Sequence, residues 1–148
     1  MHTTPSVEEA WDRHKDVRPG NVVKLDTCKR RVICRAIIAA PLRVMVVYRV
    51  ESSGVTYICP IDELTSTKPA TQQNNSNAQF RPGAGTHWRN HENERFRVVT
   101  CAWHTGSGKL YVVLRADLDN IVWACSLETW CTSVTINEKP IPRFASIP

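Results

Sequence analysis

The sequence carries an internal repeat, and this feature constrains the fold more than any other. Sliding the chain along itself until residue 31 lies on residue 97 matches seven identical residues without a gap, and we call this shift the repeat offset. The matched residues are Arg31, Val32, Ala36, Val46, Val47, Arg49 and Cys59 in the first copy and Arg97, Val98, Ala102, Val112, Val113, Arg115 and Cys125 in the second. Their order predicts two copies of one small folding unit. Chance similarity between two β-rich stretches is the alternative.

Each copy has the pattern of a three-stranded meander followed by one helical turn. Strands are predicted over 21–25, 30–40, 43–51 and 55–59 in the first unit, and over 95–104, 109–117, 121–125 and 134–137 in the second. Pro60 suits the start of the first helical turn and Ser126 the N-cap of the second. The predicted fold class is mostly β, a tandem pair of small antiparallel sheet or barrel-like units of SH3-like size.

A polar stretch separates the two units. Residues 67–86 are rich in Thr, Asn, Gln and Ser, and such a stretch cannot bury enough apolar surface to offset the entropy of ordering it. The predicted domains are therefore 1–66 with a short N-terminal helix over 7–14, the linker 67–86, and 87–148. The proline-rich tail excludes a central strand there, but Ile141, Phe144 and Ile147 can dock on the sheet.

Charge and hydropathy limit the partners. Lys and Arg number 19 against 14 for Asp and Glu, and the net charge of +5 favours anionic partners without the charge density of a histone-like tail. No apolar run approaches the roughly 18 residues of a membrane helix, and the N-terminus lacks the apolar core of a secretion signal. We expect a soluble, cytoplasmic protein with no membrane partner, and the sequence leaves a homo-oligomer open.

The familiar catalytic and metal-binding patterns are missing from the sequence. The six cysteines form no C-x-x-C pair, so most are expected to be buried thiols rather than zinc ligands or disulfides. His87 and His91 have the spacing of metal ligands on a helix, but a mobile surface segment is the preferred interpretation. Cys125 or Cys131 with His104 would supply a cysteine–histidine pair, but their spacing does not bring them together. The sequence predicts no enzyme, no metal and no cofactor.

The second unit resembles a small bacterial family. Its strand Lys109–Arg115, its segment Val122–Trp130 and its ending Pro140–Phe144 are similar to that family's V-V-Y-R strand, W-x-R-P-L-x-x-F segment and closing P-R-F. On these motifs residues 88–144 resemble domain-of-unknown-function family 1653, and residues 14–67 resemble it more faintly. The expected Arg-Pro pair is replaced by Cys125-Ser126. Because the family has no established activity, the resemblance implies a compact β-domain and no chemistry.

Repeated arginines and aromatic residues are the candidate binding site. Alternation would place Arg31, Ile33 and Arg35 on one face of their strand and Val32, Cys34 and Ala36 on the other. Twofold packing of the units would pair Arg31 with Arg97 and Arg49 with Arg115 around a shared hollow. The predicted ligand-binding residues are Arg31, Arg97, Arg49, Arg115, Tyr57, Trp123, Trp103 and Trp130. Guanidinium groups bind phosphate and aromatic rings stack on bases. A solvated arginine face over an aromatic core is the alternative.

The predicted function is non-catalytic binding of a nucleotide-like anionic small molecule, a phosphate-bearing nucleotide or a signal derived from one. Virus-encoded anti-defence proteins that sequester host signalling nucleotides in the host cytoplasm are an analogy only. A small nucleic-acid-binding barrel and a protein-interaction module are the alternatives. A symmetric site predicts that replacing Arg49 or Arg115 weakens binding equally.

Overall fold

Eleven β-strands and two short helical turns make up the described part of the chain, which in the computed structural model comprises residues 19–20, 22–25, 28–39, 42–63 and 81–148. The strands are β1 Val22–Leu25, β2 Cys28–Ala39, β3 Leu42–Val50, β4 Thr56–Pro60, β5 His87–Asn90, β6 Arg95–His104, β7 Leu110–Ala116, β8 Val122–Ser126, β9 Ser133–Ile136, β10 Lys139–Pro142 and β11 Phe144–Ile147. A 3-10 turn spans Ile61–Glu63 and helix α1 spans Leu127–Trp130. The mostly-β class is confirmed. The predicted N-terminal helix and the predicted linker up to residue 80 lie outside the described residues.

The predicted strands were located to within two residues because β-branched runs bounded by turn residues identify them well. Gly54 and Gly108 sit at positive φ in the turns that precede β4 and β7. Only glycine adopts this conformation without steric strain, which explains the Ser-Gly sequences there. Ser126 is the N-cap of α1, as predicted, and its hydroxyl accepts a hydrogen bond from the Thr129 amide.

The two units share one sheet. Strands β2, β3 and β4 form an antiparallel meander, and β6, β7 and β8 form a second one. Parallel pairs join the meanders at both edges, where Tyr57 lies opposite Trp103 and Ile37 lies opposite Trp123. The repeat offset carries Ile37 onto Trp103 and Tyr57 onto Trp123, so the two joints are equivalent. The six strands therefore close into a ring, a single barrel instead of two separate ones.

A β-bulge corrects the predicted strand faces. The register of β2 shifts between Val32 and Cys34, and that of β6 shifts between Val98 and Thr100, which are the same positions under the repeat offset. A bulge inserts one residue and reverses the alternation beyond it. Arg31 and Arg35, predicted to share a face, consequently lie on opposite faces of β2. Cys34 and Ala36, for the same reason, do not share a face with Val32.

The core consists of three clusters. The cluster inside the ring draws on both units and contains Cys34, Ala36, Met45, Val47, Ile58, Ala102, Val113 and Ala124. Two outer clusters each belong to one unit, with Val32, Val44, Val46, Tyr48, Cys59 and Ile61 in the first, and Phe96, Val98, Leu110, Val112, Leu114, Leu127 and Trp130 in the second. The units are therefore joined through the ring interior, while each covers its own outer face.

Strands outside the ring extend it on both units. β1 pairs with the beginning of β2 and β5 with the beginning of β6. Gly20 and Gly85, with φ of +89° and +85°, donate their amides to the carbonyls of Val32 and Val98 at 2.8 Å. The hydrogen bond from a glycine of positive φ to this carbonyl is therefore a second feature that both units share.

In the second unit one sequence-based interpretation is wrong, and the expectation that the proline-rich tail forms no central strand is confirmed. His87–Asn90 is strand β5, not a mobile surface segment, and it is paired with β6 on one side and β11 on the other. The proline-rich tail supplies the edge strand β11 and the hairpin strand β10 in addition to docked side chains. Pro140 and Pro142 are accommodated because both lie in β10, which belongs to a two-stranded sheet. No helix among the described residues is long and apolar enough to cross a membrane.

Replacement of Ile58 by Ala should lower the free energy of unfolding by about 2–5 kcal/mol, because the fully buried side chain leaves a cavity inside the ring. Urea unfolding measures the change. Ile141→Ala in β10, where the side chain is exposed, is the matched control and should change stability by less than about 0.5 kcal/mol. Equal losses for the two variants would contradict the assignment of the core.

Candidate functional site: an arginine rim on the barrel

Four arginines lie at one end of the ring. Because the meanders join through parallel pairs, β2 and β6 run in the same direction and β3 and β7 run in the opposite one. Arg31 and Arg97 lie near the beginnings of β2 and β6, and Arg49 and Arg115 lie near the ends of β3 and β7. All four therefore occupy the same end of the ring. We call these four residues the arginine rim.

The side chains of the rim share the face that lines the ring. Arg49 is two residues from Val47 and Arg115 is two residues from Val113, and both valines belong to the cluster inside the ring. Residues two apart on a strand project from the same face. Arg31 is registered directly opposite Arg49, and Arg97 opposite Arg115, so these side chains project there as well. The four arginines thus lie on the inner face of the ring, at one end of the shared core.

The register creates two pairs of like charges. Directly opposite residues on antiparallel strands have Cβ atoms about 4.5–5.5 Å apart, and like charges in such positions destabilise the sheet. The pairs form within each unit, Arg31 with Arg49 and Arg97 with Arg115. The sequence analysis paired arginines of different units, Arg31 with Arg97 and Arg49 with Arg115. Those residues hold equivalent positions in the two units, but the direct neighbour of each arginine belongs to its own unit. Such an arrangement is electrostatically suited to an anion.

Partners differ from one arginine of the rim to another. Arg31 donates to Glu51 Oε1 from Nη2 at 2.8 Å and from Nε at 3.1 Å. No ion pair with a carboxylate of the described residues is formed by Arg49, Arg97 or Arg115. All four arginines are exposed to solvent. Three of them are thus available to a ligand.

A polar depression adjoins the rim in the second unit. It has a volume of about 370 Å³ and is lined by Ala84, Gly85, Arg97, Val98, Val99 and Arg115. Pockets of roughly 300–1,000 Å³ hold small ligands. Ala84 has only a methyl side chain and Gly85 has none, and both residues are exposed beside the two arginines. The depression therefore combines positive charge with room for a small anionic group.

Arg115 also acts across the boundary between the units. Burial inside the ring raises the pKa of the Cys34 thiol to about 11, and the positive charge of Arg115 partly opposes that rise. Cys34 belongs to β2 of the first unit, and Arg115 belongs to β7 of the second. The electric field of the rim therefore reaches the shared core.

Further basic residues extend the positive face beyond the rim. Arg95 precedes Arg97 by two positions on β6 and lies directly opposite Arg89 of β5. Lys29 is the counterpart of Arg95 in the first unit under the repeat offset, and it is likewise exposed. The sequence placed Arg95 in the predicted strand 95–104, but Arg89 lay in the segment interpreted as mobile. Only its pairing in β5 connects it to the rim.

The predicted aromatic residues lie on the other side of the sheet. Tyr57 packs against the outer cluster of the first unit, and Trp103 and Trp123 pack against that of the second. Trp130 is buried there and stacks on Phe144 at a ring-centroid distance of 3.9 Å. The structure therefore brings the four predicted arginines together at one end and does not bring the four predicted aromatics to them.

An apolar depression of about 290 Å³ lies on this outer face of the second unit. Trp123, Phe96 and Phe144 contribute aromatic walls, and Leu118 is almost fully exposed beside them. The guanidinium carbon of Arg81 lies 5.5 Å from the centre of the Trp103 ring on this side of the sheet. None of the arginines of the rim lines this depression. The apolar and cationic surfaces are thus separate.

The opposite end of the ring carries a different set of polar residues. His104 stacks on Tyr111 at 4.9 Å, and its Nδ1 is 2.9 Å from the Ser107 hydroxyl. Burial, with the positive charge of Arg43, lowers the pKa of His104. Within the described residues no three His, Cys, Asp or Glu side chains are grouped so as to hold a metal ion. Arg43, exposed at the beginning of β3, provides a cation far from the rim.

No family model matches this chain, and no match to it was found among the curated proteins or the solved structures. The resemblance to domain-of-unknown-function family 1653 therefore stays a prediction.

Replacement of Trp130 by Ala should lower the free energy of unfolding by about 3–5 kcal/mol, because its buried ring contacts both Trp88 and Phe144. Trp130→Phe should retain most of the stability and leave nucleotide affinity unchanged. Thermal unfolding and calorimetric titration measure the two effects. A large loss of affinity in a stable Trp130→Phe protein would instead place this residue in the binding site.

Cys131 is exposed, whereas Cys34, Cys59, Cys101 and Cys125 are buried or half-buried, so Cys131 should react before these four with iodoacetamide at about pH 8. Burial raises the pKa of Cys59 and Cys125 to about 12, so very little reactive thiolate forms there. Peptide mass spectrometry over time measures the order. A urea-unfolded sample, in which these thiols should react at similar rates, is the control. Faster reaction of Cys59 than of Cys131 would contradict the expected order.

Proposed function

We propose that this protein binds, without chemically changing it, a phosphate-bearing nucleotide or nucleotide-derived signal at the arginine rim. The observation that carries the proposal is the placement of four exposed arginines at one end of the ring. Arginine binds phosphate oxygens through paired hydrogen bonds and keeps its charge at all physiological pH values. The rim therefore has the chemistry that phosphate groups require.

Several features favour binding over catalysis. Burial holds the thiol of Cys34 in its protonated form, which is a poor nucleophile.

The aromatic residues expected to stack on a base instead fill the outer clusters. Recognition at the rim is accordingly of phosphate charge and spacing, with little discrimination among bases. Sequestration of a cytoplasmic signal requires no more than this.

Nucleic-acid binding is the second candidate. Arg89, Arg95 and Lys29 extend the positive face beyond the rim, and a continuous polyanion would use them together with the rim. Such binding would weaken steeply with added salt and strengthen with oligonucleotide length. A small ligand held at the rim predicts no dependence on length, so a length series distinguishes the two.

A nucleotide that binds the rim should raise the melting temperature, and at about 100 times its dissociation constant it stabilises the fold by about 2.7 kcal/mol. The screen comprises mono-, di- and cyclic nucleotides, ADP-ribose derivatives and oligonucleotides of several lengths. Replacing Arg97 and Arg115 together by Gln should weaken binding at least tenfold, since each charged hydrogen bond contributes about 1.5–3 kcal/mol.

Arg43→Gln is the matched control for this variant. It removes an exposed arginine at the opposite end of the barrel and should leave nucleotide affinity unchanged. Equal loss of affinity in Arg43→Gln and in the double variant would show that binding is nonspecific charge attraction. Absence of stabilisation by every phosphate compound in the screen would refute the proposal.

A further inference from the structure

The two arginine pairs of the rim hold equivalent positions but differ in their hydrogen-bond partners. Nε and Nη2 of Arg31 donate to one oxygen of Glu51, and Nη1 donates to the carbonyl of Gly20 at 3.3 Å. Each nitrogen of this guanidinium therefore already has an acceptor. Arg97, its counterpart in the second unit, has no carboxylate partner among the described residues.

The difference has a local cause. Glu51 and Asp117 occupy equivalent positions, because their amides donate at 3.0 Å to the carbonyls of Lys29 and Arg95, which the repeat offset superimposes. The Asp117 side chain is one methylene shorter than that of Glu51. Within the described part of the chain, its carboxylate forms no ion pair. The carboxylate that pairs with Arg31 in the first unit thus has a shorter counterpart in the second, and that counterpart is not paired with Arg97.

We propose that Glu51 occupies the first arginine pair as an internal substitute for the anionic group of the ligand, and that Arg97 and Arg115 form the phosphate-binding subsite. This inference rests on the proposed function of the rim. The depression of about 370 Å³ lies against the second pair, as the assignment requires. The chain then holds one phosphate group tightly, and the symmetry of the repeat does not extend to ligand binding.

The ion pair between Arg31 and Glu51 lowers the phosphate affinity of Arg31 and Arg49 without abolishing it. Its side chains are 45% and 35% exposed, and a pair exposed to this degree is weak. A phosphate can therefore displace Glu51 at higher concentration. Displacing an exposed ion pair corresponds to up to about a fivefold change in apparent affinity, and the remaining negative charge of Glu51 beside the site adds to it.

The test follows the arginine Nε–Hε resonances of ¹⁵N-labelled protein during titration with inorganic pyrophosphate. In the wild-type protein the Arg97 and Arg115 resonances should reach half of their shift at about fivefold lower pyrophosphate than those of Arg31 and Arg49. In Glu51→Gln the two midpoints should agree within about twofold, because the internal acceptor has lost its charge. The Arg43 resonance is the internal reference and should not move.

Asp117 supplies the matched variants. Asp117→Asn removes one carboxylate charge, as Glu51→Gln does, but should preserve the fivefold difference because Asp117 neutralises neither pair. Asp117→Glu adds the missing methylene and should raise the Arg97–Arg115 midpoint toward that of the first pair.

Equal midpoints for the two pairs in the wild-type protein would overturn this inference and leave the proposed function standing. A fivefold difference that persists in Glu51→Gln would overturn it as well. Absence of any shift among the four arginines would overturn the proposed function and the inference together. The nucleotides that stabilise the protein should compete with pyrophosphate, whereas binding of oligonucleotides alone would identify the phosphates as those of a nucleic acid.

Discussion

Parallel pairing at both edges of each meander is the constraint on which the rest of the structure depends. A three-stranded meander leaves two edges with unpaired amides and carbonyls, and part of each edge is paired with the other unit. The orientation of this pairing also decides where charged residues meet. Antiparallel pairing of the same edges would have sent the arginines of the two units to opposite ends of the ring. Parallel pairing brings them to one end.

The β-bulges decide which face of the sheet the arginines share. They lie directly after Val32 and Val98, between the arginines that face the ring and the small residues that fill its interior. An extra residue at this position re-aims the strand, so that Arg31 and Ala36, separated by an odd number of positions, share the inner face. The arginines therefore lie at the exposed end of the packed ring interior and are not buried in it. Like charges are concentrated there at some cost in stability, as occurs at binding sites.

Aromatic residues serve the outer faces of the two units in different ways. In the second unit Phe96, Trp130 and Phe144 close an apolar cluster beneath the edge strands. In the first unit Arg30 stands at the position of Phe96, and its guanidinium lies 4.8 Å from the centre of the Tyr48 ring. A cation–aromatic contact in the first unit thus stands where the second unit has the edge-to-face contact of Phe96 with Phe144. The units have thus diverged both at the rim and on the side away from it.

Much of the fold could be predicted from the sequence because strand composition and turn residues are local signals. The ranges of the ring strands, the N-cap at Ser126 and the equivalence of Arg31 with Arg97 follow from residue type and spacing. Strand β5 carried no such signal, since only Trp88 is apolar among its four residues. Its strand conformation comes from hydrogen bonds to β6 and to β11, which follows much later in the chain.

The candidate site divides in the same way. The sequence alone determined that arginines recur at matched positions and that aromatic residues accompany them. Only the tertiary structure decided that the arginines share one end and one face, that the aromatics lie on the other face, and that Glu51 reaches Arg31. The reason is physical: strand orientation, a one-residue bulge and the reach of one methylene act through contacts between distant segments, which periodicity along the chain does not encode.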